Sequence, residues 1–422
     1  MNVKSNIHEP EFAGFIGLDW GDASHAVALA DADGGPVEER TLVHSAEELR
    51  AWLQKLESRF RGRSVALALE TSKGPLIHLF SDVPWLVIYP VHPATSARYR
   101  KAFSPSGAKD DQPDARVLLD LVINQRHKLR PLALDDGPTR LLGRLCELRR
   151  KTVDRRTQLT NTMRAVLKDY FPQALQLVGE VLYSPLALDF LERWPDLLSL
   201  KVARPATITR FYYAHNVRRP EAIQERLELM ARAVALTTDD AIVKVGIRQL
   251  ERLIQELRIL QKHILEDEKQ IAALFKEHPD APVFRNLPGA GAALAPRLLA
   301  GFGTDRTRYQ SATEFLRYSG VAPVKEKSGP RVWIHWRWNA PRFLRQSLIE
   351  WAGQTILYCP WAQAYYQHQK AKGKRHWMIL RALAFKWVRI LWKCWTTRQP
   401  YEEARYLQSL IKHKSPFVPH AV

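Results

Sequence analysis

The chain has 422 residues, so two or three domains are expected, and its 46% hydrophobic content suffices for a sizeable core. A formal net charge of +19 points to a polyanion or an anionic surface as partner. No apolar run approaches the length of a spanning helix, and the opening MNVKSNIHEPEF lacks a signal-peptide core. A membrane is therefore disfavoured against nucleic acid, in the cytoplasm of a cell without a nucleus or another DNA-containing compartment. The three cysteines, Cys146, Cys359 and Cys394, are odd in number and form no CxxC pair. Buried thiols are expected rather than a disulfide framework or a zinc site.

The first 130 residues or so read as α/β. Phe12 to Trp20 is an apolar strand, Ser24 to Asp33 alternates up to the Gly34-Gly35 turn, and Val37 to Val43 is a third strand. Ser45, with Glu48 placed for a capping box, begins a helix through LRAWLQKLESRF. Ser64 to Glu70 is short and apolar on both sides, as a central strand is, Trp85 to Val91 is a fifth strand, and Asp111 to Asn124 is a helix. The order is three strands, helix, strand, helix, strand, helix. That is the wiring of an RNase H-like sheet: an antiparallel meander followed by parallel crossover strands.

Residues 139–170 and 241–277 carry apolar positions three and four apart, for example Leu250, Leu253, Ile254, Leu257 and Leu260. They predict two long amphipathic helices, an antiparallel coiled-coil pair. Between them, 171–240 holds Pro172, Pro185, Pro195, Pro205 and Pro220 and reads as a smaller helical insertion. A third, α-helical region opens at about 282 with LPGAGAALAPRLLAGFG and becomes dense in tryptophan and basic residues. The expected domains are 1–135, 136–280 and 281–415, with a frayed tail.

Four acids of the first domain are placed suggestively. Asp19 closes the first strand, Glu70 closes the fourth, and Asp111 and Asp114 lie one helical turn apart at a helix start. In an RNase H-like sheet those strands are neighbours, so the carboxylates can converge as hard oxygen ligands for Mg²⁺. Taken singly, each acid reads better without a metal, as a turn former at a strand end or, for Asp114, as a residue that favours a helix N-terminus; the combination of positions favours the metal reading.

Pro288-Gly289-Ala290-Gly291 before a helix is similar to the hairpin of a helix-hairpin-helix, in which Gly289 and Gly291 would let backbone approach a phosphate; a tight turn without a ligand is the alternative. Ser328, in Lys325-Glu326-Lys327-Ser328-Gly329-Pro330, lies in a polar, basic loop whose Ser-Gly pair by itself reads as a turn. Trp387, Trp392 and Trp395 fit a core-facing stripe. The candidates for nucleic-acid contact are Lys325, Lys327, Arg331, Arg337, Arg342 and Arg345, then Lys372, Lys374 and Arg375. Arg149, Arg150, Lys151, Arg155 and Arg156 form a further basic run, able to meet RNA or DNA or to be a solvated face.

GLDWGDASH around Asp19, ALETSKG around Glu70, VHPATSARYRKAFSPSGAKDDQPDA through Asp111 and Asp114, and PGAGAALAPRLLAGFG followed by FLRYSGVAPVKEKSG resemble, in order and spacing, the DEDD transposases of the IS-one-ten insertion-sequence family. The resemblance leaves much of 171–240 uncovered. It implies a RuvC-like N-terminal domain with Asp19, Glu70, Asp111 and Asp114 as an Mg²⁺-binding catalytic tetrad. Lys109, Asp111, Asp114 and Ala115 meet the family's KxDxxDA pattern, and spacing selects Asp111 over Asp110. It also implies that Ser328 is a nucleophile, past the Gly320 to Pro323 element; Pro330 departs from the family, and Ser319 is the weaker alternative. The implied function is recombination of target and donor double-stranded DNA through a covalent serine–DNA intermediate. The implied partner is a structured noncoding guide RNA, the bridge RNA. The implied assembly is a homodimer that joins into a tetramer, in a bacterial or archaeal cytoplasm at the nucleoid. A metal-dependent junction resolvase using water, and a non-catalytic nucleic-acid-binding protein, are the rival readings.

Overall fold

The computed structural model describes residues 11–72, 74–103 and 111–418, with backbone alone for residues 103 and 111–113. The chain forms two compact units, divided between Leu134 and Asp135.

The first unit is a five-stranded sheet of β1 (Gly14–Trp20), β2 (Ser24–Asp31), β3 (Glu38–Val43), β4 (Val65–Leu69) and β5 (Leu86–Pro90). Helix α1 (Ala46–Phe60) follows β3, α2 (Pro75–Ser81) joins β4 to β5, and α3 (Pro93–Phe103) and α4 (Asp111–Asn124) follow β5. The strand order is β3-β2-β1-β4-β5. β1 pairs antiparallel with β2 and parallel with β4, which pairs parallel with β5. This is the RNase H-like order that the alternation of elements predicts. Ser45 caps α1 by accepting from the Glu48 N–H at 3.1 Å.

The two faces of the sheet are packed differently. Large side chains such as Ile16, Leu18, Val27, Leu67 and Leu69 meet Trp52, Leu56 and Phe80 of α1 and α2. The other face is lined by Ala26, Ala28, Ala30, Ala66 and Ala68 and receives Ala115, Leu118, Leu119 and Val122 of α4. Alternation along a strand puts Gly17 on that small-residue face too. A Cβ at Gly17 would collide with the Ala115 carbonyl oxygen and the Leu119 backbone nitrogen. Helix α4 therefore lies directly on β1, two residues before Asp19.

Helix α3 was not expected. PATSARYRKAF offers few apolar residues to mark a helical period, and its N-terminal Pro93 reads as readily as a turn.

The second unit is helical apart from one hairpin. Helices α5 (Gly137–Tyr170) and α11 (Asp240–Glu277) are the long pair. They run antiparallel: Arg149 reaches Glu268, whereas Arg156 reaches Gln261. Between them lie α6 (Ala174–Val178), α7 (Pro185–Arg193), α8 (Leu197–Lys201), α9 (Pro205–Ala214) and α10 (Pro220–Arg232). Pro185, Pro205 and Pro220 each open a helix, where the missing N–H costs nothing. These short helices share a core with the facing halves of α5 and α11, including Tyr170, Phe190, Trp194, Phe211, Tyr212 and Leu250.

A separate core gathers the other ends of the pair, through Leu142, Cys146 and Ile271, with everything that follows. That part comprises α12 (Ala281–Arg285), α13 (Gly291–Phe302), α14 (Ala312–Tyr318), strands β6 (Val324–Ser328) and β7 (Arg331–His335), α15 (Arg342–Tyr358), α16 (Pro360–Ala371), α17 (His376–Thr397) and α18 (Glu403–Lys412). Trp351, Trp361, Trp387 and Trp395 are its largest fully buried side chains, with Trp392 packed against them. The stripe reading of Trp387, Trp392 and Trp395 holds. The three cysteines are free and buried, as expected. No helix among the described residues is long and apolar enough to cross a membrane.

Candidate active site and nucleic-acid interface

Asp19 and Glu70 are brought together by strand register. Leu18 of β1 is the parallel partner of Leu69 of β4, so Asp19 and Glu70 are the next residues at adjacent strand ends. Parity puts Asp19 with Gly17, and Glu70 with Ala66 and Ala68, on the face that α4 covers. Asp114 precedes Ala115, the residue whose carbonyl bears on Gly17, so the close approach permitted by that glycine also delivers Asp114 to the same side.

The missed helix α3 supplies the partners of these acids. The buried Ser96 hydroxyl donates to Glu70 Oε1, and the Arg100 guanidinium donates to Asp114 Oδ1. Ser96 and Arg100 are four residues apart and share one face of the helix. Tyr99 of α3 donates to Asp120 of α4, and burial followed by that carboxylate pushes its phenol up to about 12. The signal that could have exposed α3 was this i, i+4 pairing of a hydroxyl and a cation. Asp19 also has a partner within the chain. The Asp111 side chain, Lys109 and Asp110 lie outside the described residues.

Among the described residues, no three His, Cys, Asp or Glu side chains are gathered closely enough to hold an ion. Chemically, Asp19, Glu70 and Asp114 offer the hard oxygen donors that Mg²⁺ prefers.

Ser328 is not in an irregular loop. It ends β6 and is the cross-strand partner of Arg331, so a hairpin turns in two residues, Gly329-Pro330. Gly329 has φ +57°, and proline's fixed φ suits the second position of a type II′ turn, so the Pro330 departure is compatible with the hairpin. Ser328 and Arg331 occupy one face of this exposed ribbon. Ser319, by contrast, is fully buried with its hydroxyl donating to the Leu316 carbonyl. Farther along the ribbon His335 Nε2 lies 2.9 Å from Glu326 Oε1, and hydrogen bonding to that carboxylate raises its pKa.

The other candidate residues divide by environment. Lys325, Lys327, Arg342, Lys372, Lys374 and Arg375 are exposed. Arg345 donates to the Arg337 carbonyl at 2.8 Å and lies over the Trp336 ring. In the α5 run, Arg149 is paired with Glu268, Arg150 with Asp154 and Glu350, and Arg155 with Glu256, while Arg156 meets Gln261 and stacks on Tyr183. Those four join helices; Lys151 is exposed. Gly289, at φ +69°, is pressed against Gln354 and Tyr358 of α15, whereas a Cβ on Gly291 would meet open space.

An acid pair at the ends of neighbouring parallel strands, with a third acid on the helix laid across them, is the frame of an RNase H-like DEDD transposase domain. Comparison with known families agrees. A model of DEDD transposases of the IS110 kind matches residues 16–172, and one described as Transposase IS116/IS110/IS902 family matches 281–367. A Streptomyces coelicolor mini-circle protein, named as a transposase for IS117, is 26% identical over 94% of this chain and 97% of its own length. An uncharacterized 43.6 kDa protein of insertion element IS110 from the same organism is 28% identical over 89% of this chain and 92% of its own. An uncharacterized 42 kDa protein of insertion element IS900 from Mycobacterium paratuberculosis is 23% identical over 90% and 94%. The chain belongs to the IS110 family of transposases.

Proposed function

We propose that this transposase is an Mg²⁺-dependent recombinase that exchanges DNA strands through a covalent serine–DNA linkage, guided by a structured noncoding RNA that pairs with target and donor DNA. The observation that carries the reading is the convergence of Asp19, Glu70 and the start of α4 on one side of the sheet. Asp19, Glu70, Asp111 and Asp114 would hold the ion, which when bound neutralises charge at the scissile phosphate and acidifies a coordinated hydroxyl.

The chain's own residues do the rest. Arg331, on the same face of the hairpin, brings positive charge to the phosphate beside Ser328. The Ser328 Oγ forms a bond to phosphorus, its proton departs, and the bond from phosphorus to the leaving sugar oxygen breaks, that oxygen taking up a proton. A sugar hydroxyl of the other duplex then attacks the serine phosphoester, which joins the strands and returns the serine. Ester energy is conserved, so no nucleotide cofactor is consumed. Gly291, which faces open space, with the exposed cations of 325–375, positions phosphates without reading sequence, while Gly289 serves the turn against α15. Pairing with the guide carries the specificity.

In this reading, residues 136–280 serve assembly as a coiled coil and 281–415 carry the serine. The helix pair joins two chains, and two dimers form the tetramer. Ser328 of one protomer completes the acid cluster of another.

The test is to incubate the protein with labelled donor and target DNA, the noncoding RNA and Mg²⁺, and to look for a protein–DNA adduct. An adduct lost in Ser328→Ala is expected. Cleavage without any adduct would make the protein a nuclease that uses activated water.

A further inference from the structure

Between α17 and α18 lies a cavity of about 640 Å³, within the size range that holds a small ligand. Its floor is apolar, formed by Ile390, the buried Cys394, and the half-buried rings of Tyr401 and Tyr406. Its rim is cationic. Arg389 and Lys393 are one turn apart on α17, and Arg405 faces the same cavity from α18. Like charges at that spacing repel.

Several arginines of this unit are paired with acids: Arg306 has Asp280, Arg308 has Asp135, and Arg258 has Asp189 and Glu192. The three rim cations make no ion pair among the described residues, even with Glu402, the acid of the cavity wall. Lys386, also on the wall, is committed to the rings of Tyr365 and Phe417. Thr397, Gln399 and Ser409 add uncharged hydrogen-bonding groups.

An apolar floor with two aromatic rings under a cationic rim that lacks ion pairs suits a planar heterocycle carrying a phosphate. We propose that this cavity takes a single nucleotide, its base against Tyr401 and Tyr406 and its phosphate between Arg389, Lys393 and Arg405. Two sources share that chemistry: an unpaired nucleotide of a bound strand, or a free mononucleotide. The first rests on the nucleic-acid partnership proposed above; the second does not.

The probe is 2-aminopurine, placed as a single-nucleotide bulge in a duplex, in the same duplex fully paired, and as a free monophosphate. Each is titrated against the full-length protein. The bulged duplex is expected to bind roughly tenfold tighter than the paired one, as stacking of one base allows. Arg389→Gln and Arg405→Gln, on different helices, should each erase that preference while leaving paired-duplex affinity within about twofold. Lys412→Gln, on α18 outside the cavity, should preserve it. Tight, Arg389-dependent binding of the free monophosphate assigns the cavity to a free nucleotide, and does so even if the protein binds no duplex at all. Equal binding of bulged and paired duplexes with no monophosphate binding overturns the proposal. So does equal weakening of both duplexes by the two variants, which would make the rim mere surface charge.

Discussion

Asp19 and Glu70 stand side by side because Leu18 and Leu69, one residue before each, are register partners in adjacent parallel strands. The acids need no contact with each other to be held there; the backbone ladder does it. Asp19→Ala or Glu70→Ala should therefore leave the sheet intact and lower strand cleavage by on the order of a thousandfold, through the loss of metal-assisted stabilisation. Nucleic-acid affinity should change little, since the formal charge only rises from +19 to +20 in each variant. Cleavage across an Mg²⁺ titration, alongside equilibrium binding, checks both halves. Full activity in both variants would remove the acid cluster from the reaction.

Gly17 governs how close α4 comes to the sheet. Gly17→Val should cost about 1–3 kcal/mol, because a side chain there meets helix backbone that cannot rotate away. It should also lower cleavage by displacing Asp114, though Gly17 carries no reactive group. Urea unfolding and the cleavage assay, run on one preparation, measure the two effects. A stable variant with normal cleavage would show that α4 is not seated by this contact.

His278 makes the fold acid-sensitive. Its Nδ1 accepts the Asp280 backbone N–H at 3.1 Å, which leaves Nε2 to donate to Thr139 Oγ1 at 2.9 Å, so the ring is held neutral. Burial lowers its pKa below the ordinary value. The unfolded chain then binds a proton that the folded one refuses, and stability rises with pH. The contribution is fully present above about pH 6.5 and is lost progressively as pH falls from there toward the folded pKa. His215 is raised, since its bonds to Asp189 and the Phe211 carbonyl outweigh burial, and works in the opposite sense. The difference between wild type and His278→Gln isolates the effect: the variant's stability should fall less between pH 7 and 5. Parallel curves would exclude His278 as the cause.

Ser328 and the acid cluster lie in different compact units of the chain. The composite site proposed above, with Ser328 of one protomer at the acids of another, makes a specific prediction. Ser328→Ala and Asp19→Ala proteins, each inactive alone, should recover partial cleavage when mixed, because a heterodimer holds one intact site and one doubly damaged site. If heterodimers form and cleavage stays absent, the serine meets the acids of its own chain.

The strands of the first unit, the two long helices and the prolines that open short helices were legible because each is a local pattern. Period-two alternation, period-3.6 apolar spacing and a missing N–H act within a few residues. Asp19 and Glu70 were legible for the same reason, since each ends a run of apolar strand. Helix α3 was not, because its partners Glu70, Asp114 and Asp120 are remote in sequence or on another helix, and its own residues carry little apolar period. Nor was the β6–β7 hairpin, whose exposed strands mix charge and tryptophan with no buried face to impose alternation. The α5 basic run shows the same limit. Its arginines read as a nucleic-acid surface until Glu268, Glu256 and Glu350 arrive from other helices.

By itself, then, the sequence determined which elements form and which acids end them, since propensity and periodicity are properties of neighbouring residues. Only the tertiary structure decided that Gly17 seats α4, that Ser96 and Arg100 hold the acids, and that Ser319 is buried while Ser328 is exposed. Those outcomes depend on close packing and charge pairing between segments far apart in the chain, and no local pattern encodes which distant group will arrive.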